Sequence, residues 1–265
     1  MDRVLAKAAA FVWVAVVFCG CGEDAVQPQP SESQPGKPQP IESAQTTPEP
    51  TGAIEGTVRF VGQTIPISTM VPVGADPQYC GHQHSKEDYV IDADSRGIRY
   101  VIVHLKRRGL KDWPDTKPGH LVLDNKDCRF EPHAAVLTVG STIELRNSDT
   151  IFHTTHAYFG ASFNFALPEK GSSVTYVIQE TGLTQIRCDK HGWMNAFIRV
   201  DRHPLHAVSD AQGRFNISGV PPGQYTLVAW HEKFDKMETP IVVQAGKTEQ
   251  PELTYPIPNE DQVSP

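Results

Sequence analysis

The folded part of the chain is patterned in short runs of alternating apolar and polar residues, without a sustained helical period. β-Branched and aromatic residues dominate these runs, and Gly, Pro, Asn and Asp separate them. This pattern is typical of all-β sandwiches and barrels. The polar segment 79–88 is expected to be a loop. Strands are predicted over 54–61, 100–106, 135–139, 142–146, 173–179, 184–188, 195–200, 214–217, 225–230 and 240–244.

The N-terminus has a different pattern. Arg3 and Lys7 precede an apolar run that is too short to span a bilayer comfortably, and Cys21 follows it. Residues 1–21 therefore resemble a bacterial lipoprotein signal, which implies lipidation of Cys21 and a membrane anchor in the periplasm or at the cell surface. An ordinary cleaved signal and an uncleaved anchor are the alternatives. Residues 22–50 are rich in Pro, Gln, Ser and Thr and predict a disordered tether.

Charge and chain length narrow the possible functions and the number of domains. The 265 residues carry a net charge of −7 and no basic stripe, so nucleic acid is not expected as a partner. A His-Pro step near 202–205 predicts a boundary between a domain over 51–201 and a smaller one over 202–258. Residues 259–265 would then be a tail.

The segment after this boundary has its own turn signals. Asp210 and Gly213 mark one turn, and Gly-Val-Pro-Pro-Gly-Gln-Tyr over 219–225 marks the next. The segment resembles the transthyretin-like, carboxypeptidase regulatory domain, which implies a small β-sandwich and no catalysis. Residues 52–58 resemble the first strand of that family. An alternative is therefore that this strand joins the C-terminal sandwich and that the larger domain is inserted between.

The residues with the most specific chemistry lie between two predicted strands. Cys188, His191 and Met194 are three residues apart, and a tight loop can turn all three toward one point. A thiolate, an imidazole and a thioether form a soft donor set suited to copper. Zinc, a Cys–His hydrolase and an ordinary set of core residues are the alternatives, although a thioether would be an unusual zinc ligand.

A blue-copper site needs a second imidazole, and His153 offers one, six residues after Asn147. The two segments together resemble the cupredoxins of the plastocyanin, pseudoazurin and amicyanin branch, over about 119–200. The resemblance implies a Greek-key β-sandwich that holds one type 1 copper. Its implied ligands are His153, Cys188, His191 and Met194.

The resemblance also implies roles for neighbouring residues. Asn147 would connect the two ligand loops by hydrogen bonds, and the exposed edge of His191 would be the electron port. The protein would be a one-electron carrier for a periplasmic or surface cytochrome or oxidase, not an enzyme. The charged pair Asp189 and Lys190 replaces the family's usual Thr-Pro or Ser-Pro, which bears on potential and partner choice.

Two cysteines of the mature chain remain once Cys188 is assigned to metal. Cys80 and Cys128 are then expected to form a disulfide, which fits an oxidising compartment. The rival interpretation is a second metal site made of Cys80, His82 and His84.

The other aromatic and histidine residues are expected to be structural. Trp193 and Phe152 would exclude water from the copper site, and His156 is the alternative to His153 as the first ligand. Copper capture or delivery is the main alternative function, and a surface adhesion or carbohydrate-binding lipoprotein is another. The histidines expected to be structural or at the surface are His133, His156, His206 and His231.

Overall fold

A computed structural model describes residues 50–107, 113–114 and 116–256. The predicted signal with Cys21, nearly all of the tether and the tail lie outside these residues. Among the described residues, no helix is long and apolar enough to cross a membrane.

Within the described residues the fold is all-β, as predicted, with one helical turn, α1 (Pro77–Cys80). The predicted strands are found, most of them within two residues of the expected ends. The first ten strands are β1 (Gly52–Phe60), β2 (Met70–Pro72), β3 (Gln83–Ser85), β4 (Ile102–Lys106), β5 (His120–Lys126), β6 (Arg129–Glu131), β7 (Ala134–Thr138), β8 (Thr142–Asn147), β9 (His153–Tyr158) and β10 (Asn164–Leu167). The others are β11 (Ser173–Val177), β12 (Gly182–Arg187), β13 (Asn195–Asp201), β14 (His206–Val208), β15 (Arg214–Val220), β16 (Gly223–His231), β17 (Asp235–Val243), β18 (Thr248–Glu249) and β19 (Glu252–Tyr255).

Strands β5–β13 form the first sandwich. One sheet has the order β10-β9-β12-β13-β7 and the other the order β11-β8-β5-β6. Alternation along each strand supplies the core between them, because every second side chain faces inward. In β8, for example, Ile143 and Leu145 are buried, and they pack with residues such as Leu123, Ile186 and Ile198.

The second sandwich combines strands from both ends of the folded region. β1 lies between β15 and the short strands β18 and β19, and the facing sheet has the order β14-β4-β16-β17. Its core includes Ile54, Val103, Phe215, Leu227 and Leu253. Strands β1 and β4 thus share sheets with the C-terminal strands, although the domain predicted over 51–201 included them. The chain leaves this sandwich, forms the first one, and returns.

A small segment over 70–85 lies outside both sandwiches, and we call it the capping segment. It consists of the β2–β3 pair with α1 between the strands, so the prediction of a plain loop over 79–88 was wrong. Val71, Val73 and Cys80 pack against the core of the first sandwich. A disulfide between Cys80 and Cys128 fixes the segment there.

The two sandwiches contact each other through a third apolar cluster. Ile102 of β4 packs with Ala134 and Phe197, and the rings of Phe197 and Trp230 are 5.0 Å apart.

Candidate metal centre

Strand pairing closes the loop 188–194 at its base. Arg187 of β12 pairs with Asn195 of β13, so the seven residues between them must turn back within one strand spacing. Met194 N–H donates to the His191 carbonyl, and Cys188 N–H donates to the Met194 carbonyl at 3.4 Å. β9 lies beside β12, with His156 opposite Arg187, and this register brings the start of β9 to the loop.

Alternation along β9 selects which of its two histidines enters the site. His153, Thr155 and Ala157 are buried, whereas Thr154 and His156 face outward. His156 instead contacts Asp189, with Nδ1 2.9 Å from Oδ1. The expectation that His153 rather than His156 meets the loop therefore agrees with the period of the strand.

Three of the four predicted ligands bring their donor atoms together. The Nδ1 atoms of His153 and His191 are 3.0 Å apart, and the Cys188 sulfur lies 3.9 and 3.5 Å from them, respectively. Both histidines are 0 % exposed and Cys188 is 2 % exposed. Metal bonds of about 2.0–2.3 Å to nitrogen and sulfur place such donors at separations of this size. Within the described part of the chain, His153, Cys188 and His191 thus form a group whose ligand atoms, all within 4.8 Å of one another, could hold a metal ion.

A carboxylate holds the outer nitrogen of each imidazole. His153 Nε2 is 2.9 Å from Asp149 Oδ2, and His191 Nε2 is 2.9 Å from Asp76 Oδ2. An ionised carboxylate only accepts hydrogen bonds, so each Nε2 donates and each neutral ring presents a lone pair at Nδ1. Two lone pairs and a sulfur this close repel one another, and a cation held between them would remove this repulsion. The donor set and its orientation thus fit a bound metal ion.

The sulfur of Cys188 is prepared to act as a thiolate. Burial raises its pKa, but the adjacent imidazoles of His153 and His191 and the N–H of Thr154 outweigh burial and bring the pKa to about 5. For His153, burial lowers the pKa, yet the bonds to Asp149 and Cys188 leave it above its ordinary value. Thiolate is the form of cysteine that binds metal, so Cys188 offers a negatively charged ligand to a cation near neutral pH.

The fourth predicted ligand, Met194, is buried beside the other three. It is 2 % exposed and belongs to the same core cluster as Cys188 and Trp193. The His191 ring packs against Trp193, with centroids 5.1 Å apart, as expected for a residue that excludes water. Phe152 does not have this role, because it is 37 % exposed and lies under Lys190 at the surface.

Two roles implied by the family resemblance differ from the structure. Asn147 does not connect the ligand loops: its Nδ2 donates to the carbonyls of Ile151 and Leu167, and its Oδ1 accepts from Asp149 N–H. It thereby shapes the turn before the first histidine. The edge of His191 is not exposed, since Asp76 of the capping segment covers it.

The structure also shows which contacts the cysteines and histidines of the capping segment make. Cys80 and Cys128 form the predicted disulfide, so Cys80 offers no thiolate to a second metal. His84 is buried and stacks on Trp193, with Nε2 3.3 Å from the Asp127 carbonyl. His82 is exposed.

The other histidines expected to be structural or at the surface have contacts outside the triad. His133 contacts Glu232, and His206 contacts Asp201. His231 is buried in the second sandwich, where Lys233 N–H donates to its ring.

Sequence reasoning missed three residues that shape the site. Thr154, not Asn147, connects the two ligand segments: its N–H points at the Cys188 sulfur at 3.4 Å, and its hydroxyl accepts from Asp189 N–H at 2.7 Å. Asp149 lies four residues before His153, a spacing that could have indicated it. Asp76 lies far upstream in a polar segment, and no local pattern marks it.

Comparison with known proteins agrees with the resemblance of the C-terminal segment to the carboxypeptidase regulatory domain. Residues 192–255 match the model of the carboxypeptidase regulatory-like domain, so the C-terminal part of the chain contains such a domain. No curated protein sequence matches the chain.

Among solved structures, the similarity is to cupredoxins. A copper(I) form of an amicyanin variant is 22 % identical, with a TM-score of 0.27, over 31 % of this chain and 81 % of that one. A purple cupredoxin from Nitrosopumilus maritimus is 21 % identical, with a TM-score of 0.27, over 30 % of this chain and 96 % of that one. A copper-containing nitrite reductase from Thermus scotoductus is 20 % identical, with a TM-score of 0.28, over 36 % of this chain and 25 % of that one.

Proposed function

We propose that this chain is an extracytoplasmic type 1 copper protein that transfers single electrons. The observation that carries the proposal is the buried triad of His153 Nδ1, His191 Nδ1 and Cys188 Sγ, with each imidazole held from behind by a carboxylate. Two imidazoles and a thiolate, with a weak methionine donor such as Met194, are the ligand set of blue copper. When bound in such a set, copper cycles between Cu(II) and Cu(I) with little rearrangement.

The protein's own contribution is to keep this set rigid and dry. The loop 188–194 is closed by strand pairing, and β9 fixes His153 from the neighbouring strand. Cys188 accepts hydrogen bonds that stabilise its negative charge without a proton. Because the donors are already in position, a change in oxidation state requires few side chains to move.

The cellular setting belongs to the same proposal. The disulfide between Cys80 and Cys128 supports an oxidising compartment outside the cytoplasm. A lipid anchor at Cys21 and a cytochrome or an oxidase as the electron partner remain part of the proposal, and the carboxypeptidase regulatory-like domain would then be a second folded module beside the copper centre.

Absorption spectroscopy of Cu(II)-loaded protein tests this function. We expect one copper per chain and intense visible absorption from thiolate-to-copper charge transfer, which is lost in Cys188→Ser. His156→Ala is the matched control, since it removes an outward-facing histidine of the same strand as His153, and it should keep the colour. A colourless wild type, or a Cys188→Ser variant that stays coloured, would refute the thiolate site.

Copper capture or delivery is the second candidate, and the covered edge of His191 favours it. A fast electron carrier exposes part of its centre to partners, whereas here both imidazoles are fully buried. Two rates separate the candidates: electron exchange with a small redox dye, and transfer of Cu(I) to a competing chelator. A carrier exchanges electrons much faster than it releases the metal, and a delivery protein shows the opposite order.

A further inference from the structure

Three residues link the capping segment to the metal centre and its neighbours. Asp76 directly precedes α1, and Tyr79 and Cys80 lie within α1. Asp76 reaches His191, and Tyr79 OH donates to Asp149 at 3.1 Å. Cys80 completes the set through its disulfide to Cys128. Each contact ends on a ligand, on a residue that holds a ligand, or on a neighbour of the site.

The contact made by Asp76 is the most direct of the three. Its Oδ2 accepts from His191 Nε2 at 2.9 Å and from Lys190 Nζ at 2.7 Å. Asp76 is thus paired with both a lysine ammonium group and an imidazole. A single carboxylate thus binds two consecutive residues of the ligand loop.

The backbone shows that this orientation is specific. Asp76 precedes α1 at the N-cap position, where an Asp side chain ordinarily accepts a backbone N–H of the first turn. Here it makes no such bond, and its backbone is left-handed, with φ 50° and ψ 45°. A non-glycine residue in this region persists where its surroundings hold it. The disulfide of Cys80, four residues later, and the ion pair with Lys190 hold Asp76 in this conformation.

The consequence for His191 is twofold. Because Asp76 accepts a hydrogen bond from Nε2–H, the lone pair of the neutral ring is at Nδ1, the atom that faces Cys188 and His153. Asp76 also covers the outer edge of the ring, which has no exposed surface. A partner that approaches the loop therefore meets the Asp76–Lys190 pair and not the imidazole.

We propose that Asp76 is a positioning residue of the metal centre, which fixes the Nδ1-ligating tautomer of His191 and closes the ring edge against partners. The disulfide-held capping segment, and not the first sandwich alone, would then control access to the centre. This inference rests on the proposed copper function, but the state of the His191 ring is observable without copper.

The first test uses nitrogen-15 NMR of the metal-free and zinc-loaded protein. In the wild type we expect the His191 Nε2–H signal to exchange slowly with solvent. Asp76→Ala should lose this protection, and Asp76→Asn should keep part of it, because the amide oxygen still accepts a hydrogen bond. Asp189→Asn is the matched control, since Asp189 adjoins Cys188 but contacts His156. Equal protection in Asp76→Ala and the wild type would overturn the proposal.

The second test uses the copper-loaded protein. Loss of an outer partner of a ligand costs about 10–100-fold in metal affinity, and we expect a loss of this size in Asp76→Ala. The reduction potential should become more positive in both Asp76 variants, since an anion beside the centre favours Cu(II). Ferricyanide, which takes up the electron from Cu(I) to become ferrocyanide, should oxidise Asp76→Ala faster than Asp76→Asn, because both variants lose the anion and only the alanine uncovers the ring edge.

These readouts separate the inference from the function on which it rests. A wild type without colour refutes the copper function but leaves the ring N–H result standing. A coloured wild type in which both variants keep the potential, the copper affinity and the ferricyanide rate overturns the role of Asp76. Circular dichroism and an intact disulfide in Asp76→Asn establish that the fold is retained.

Discussion

The two sandwiches bury histidines equally well and use them in different ways. In the first, His153 and His191 lie fully buried, each with a carboxylate at Nε2 and a thiolate near Nδ1. In the second, His104 and His231 are 4 % and 2 % exposed, and neither forms a hydrogen bond with a carboxylate among the described residues. Both nitrogens of His104 are without a hydrogen-bond partner among the described residues.

Burial alone does not decide the charge of a buried ring, because its neighbours can outweigh it. Burial is the largest cause that lowers the pKa of His104 to about 4 and of His231 to about 3, so both are neutral near pH 7. In His153 the same effect is outweighed by Asp149 and Cys188, and the pKa is raised. A buried imidazole is therefore a candidate ligand only where a hydrogen-bond acceptor holds the N–H of one ring nitrogen and an anion lies beside the other nitrogen.

The largest expected effect compares one histidine from each sandwich. His153→Ala removes a donor of the triad, so copper affinity should fall by more than the roughly 100-fold that loss of an outer partner costs. His104→Gln should leave the affinity unchanged, because His104 lies outside the first sandwich. Competition with a chelator of known affinity measures both. If His104→Gln weakened copper binding as much as His153→Ala, the distinction between the two kinds of buried histidine would fail.

Much of this distinction could be predicted from the sequence, because it is local. Cys188, His191 and Met194 lie within seven residues between two strands, and the period of β9 selects His153 over His156. The short strands were predictable for the same reason, since alternation is a property of adjacent residues.

The parts that could not be predicted depend on contacts between distant residues. Asp76 meets His191 across 115 positions of the chain, and nothing near Asp76 in the sequence indicates a metal site. Likewise, β1 pairs in parallel with β19, a register that forms only when both ends of the folded chain meet. The exposed edge expected for His191 was wrong for this reason: the first sandwich leaves that edge open, and a separate segment covers it.

The free energy of unfolding should depend on pH with opposite sign for His104 of the second sandwich and His153 of the first. Above pH 6.5 the unfolded and folded states both leave His104 neutral, and its contribution to stability is complete. As pH falls from 6.5 towards 4, the unfolded chain binds a proton that the folded state excludes, so the free energy of unfolding decreases. His153 has a raised pKa, and its contribution is instead complete below pH 6.5 and lost as pH rises through the folded value.

Urea unfolding of the metal-free protein at several pH values measures this effect. Between pH 6.5 and 5 we expect His104 to account for a loss of about 2 kcal/mol, since each proton contributes about 1.4 kcal/mol per pH unit. His104→Gln should reduce the slope by about one proton. An unchanged slope in this variant would show that His104 is protonated in the folded state or is not buried as described.

The smallest expected effect concerns how firmly each ligand is held. Tyr79→Phe removes the hydroxyl that donates to Asp149, a neutral donor at the edge of the site, and should cost about 1 kcal/mol in unfolding free energy. Asp149 also accepts from the backbone N–H groups of Asp127 and Cys128, so His153 should stay in place and copper affinity should change less than in Asp76→Ala.

The reason for this difference is redundancy. Without Tyr79, Asp149 still has three hydrogen-bond partners, which are His153 and the N–H groups of Asp127 and Cys128. Asp76, in contrast, keeps its position beside His191 only while α1 stays in place. Chelator competition on Tyr79→Phe and Asp76→Ala, measured side by side, tests it. Equal losses of copper affinity would mean that the capping segment holds both histidines alike; a loss confined to Asp76→Ala would make His191 the adjustable ligand of the centre.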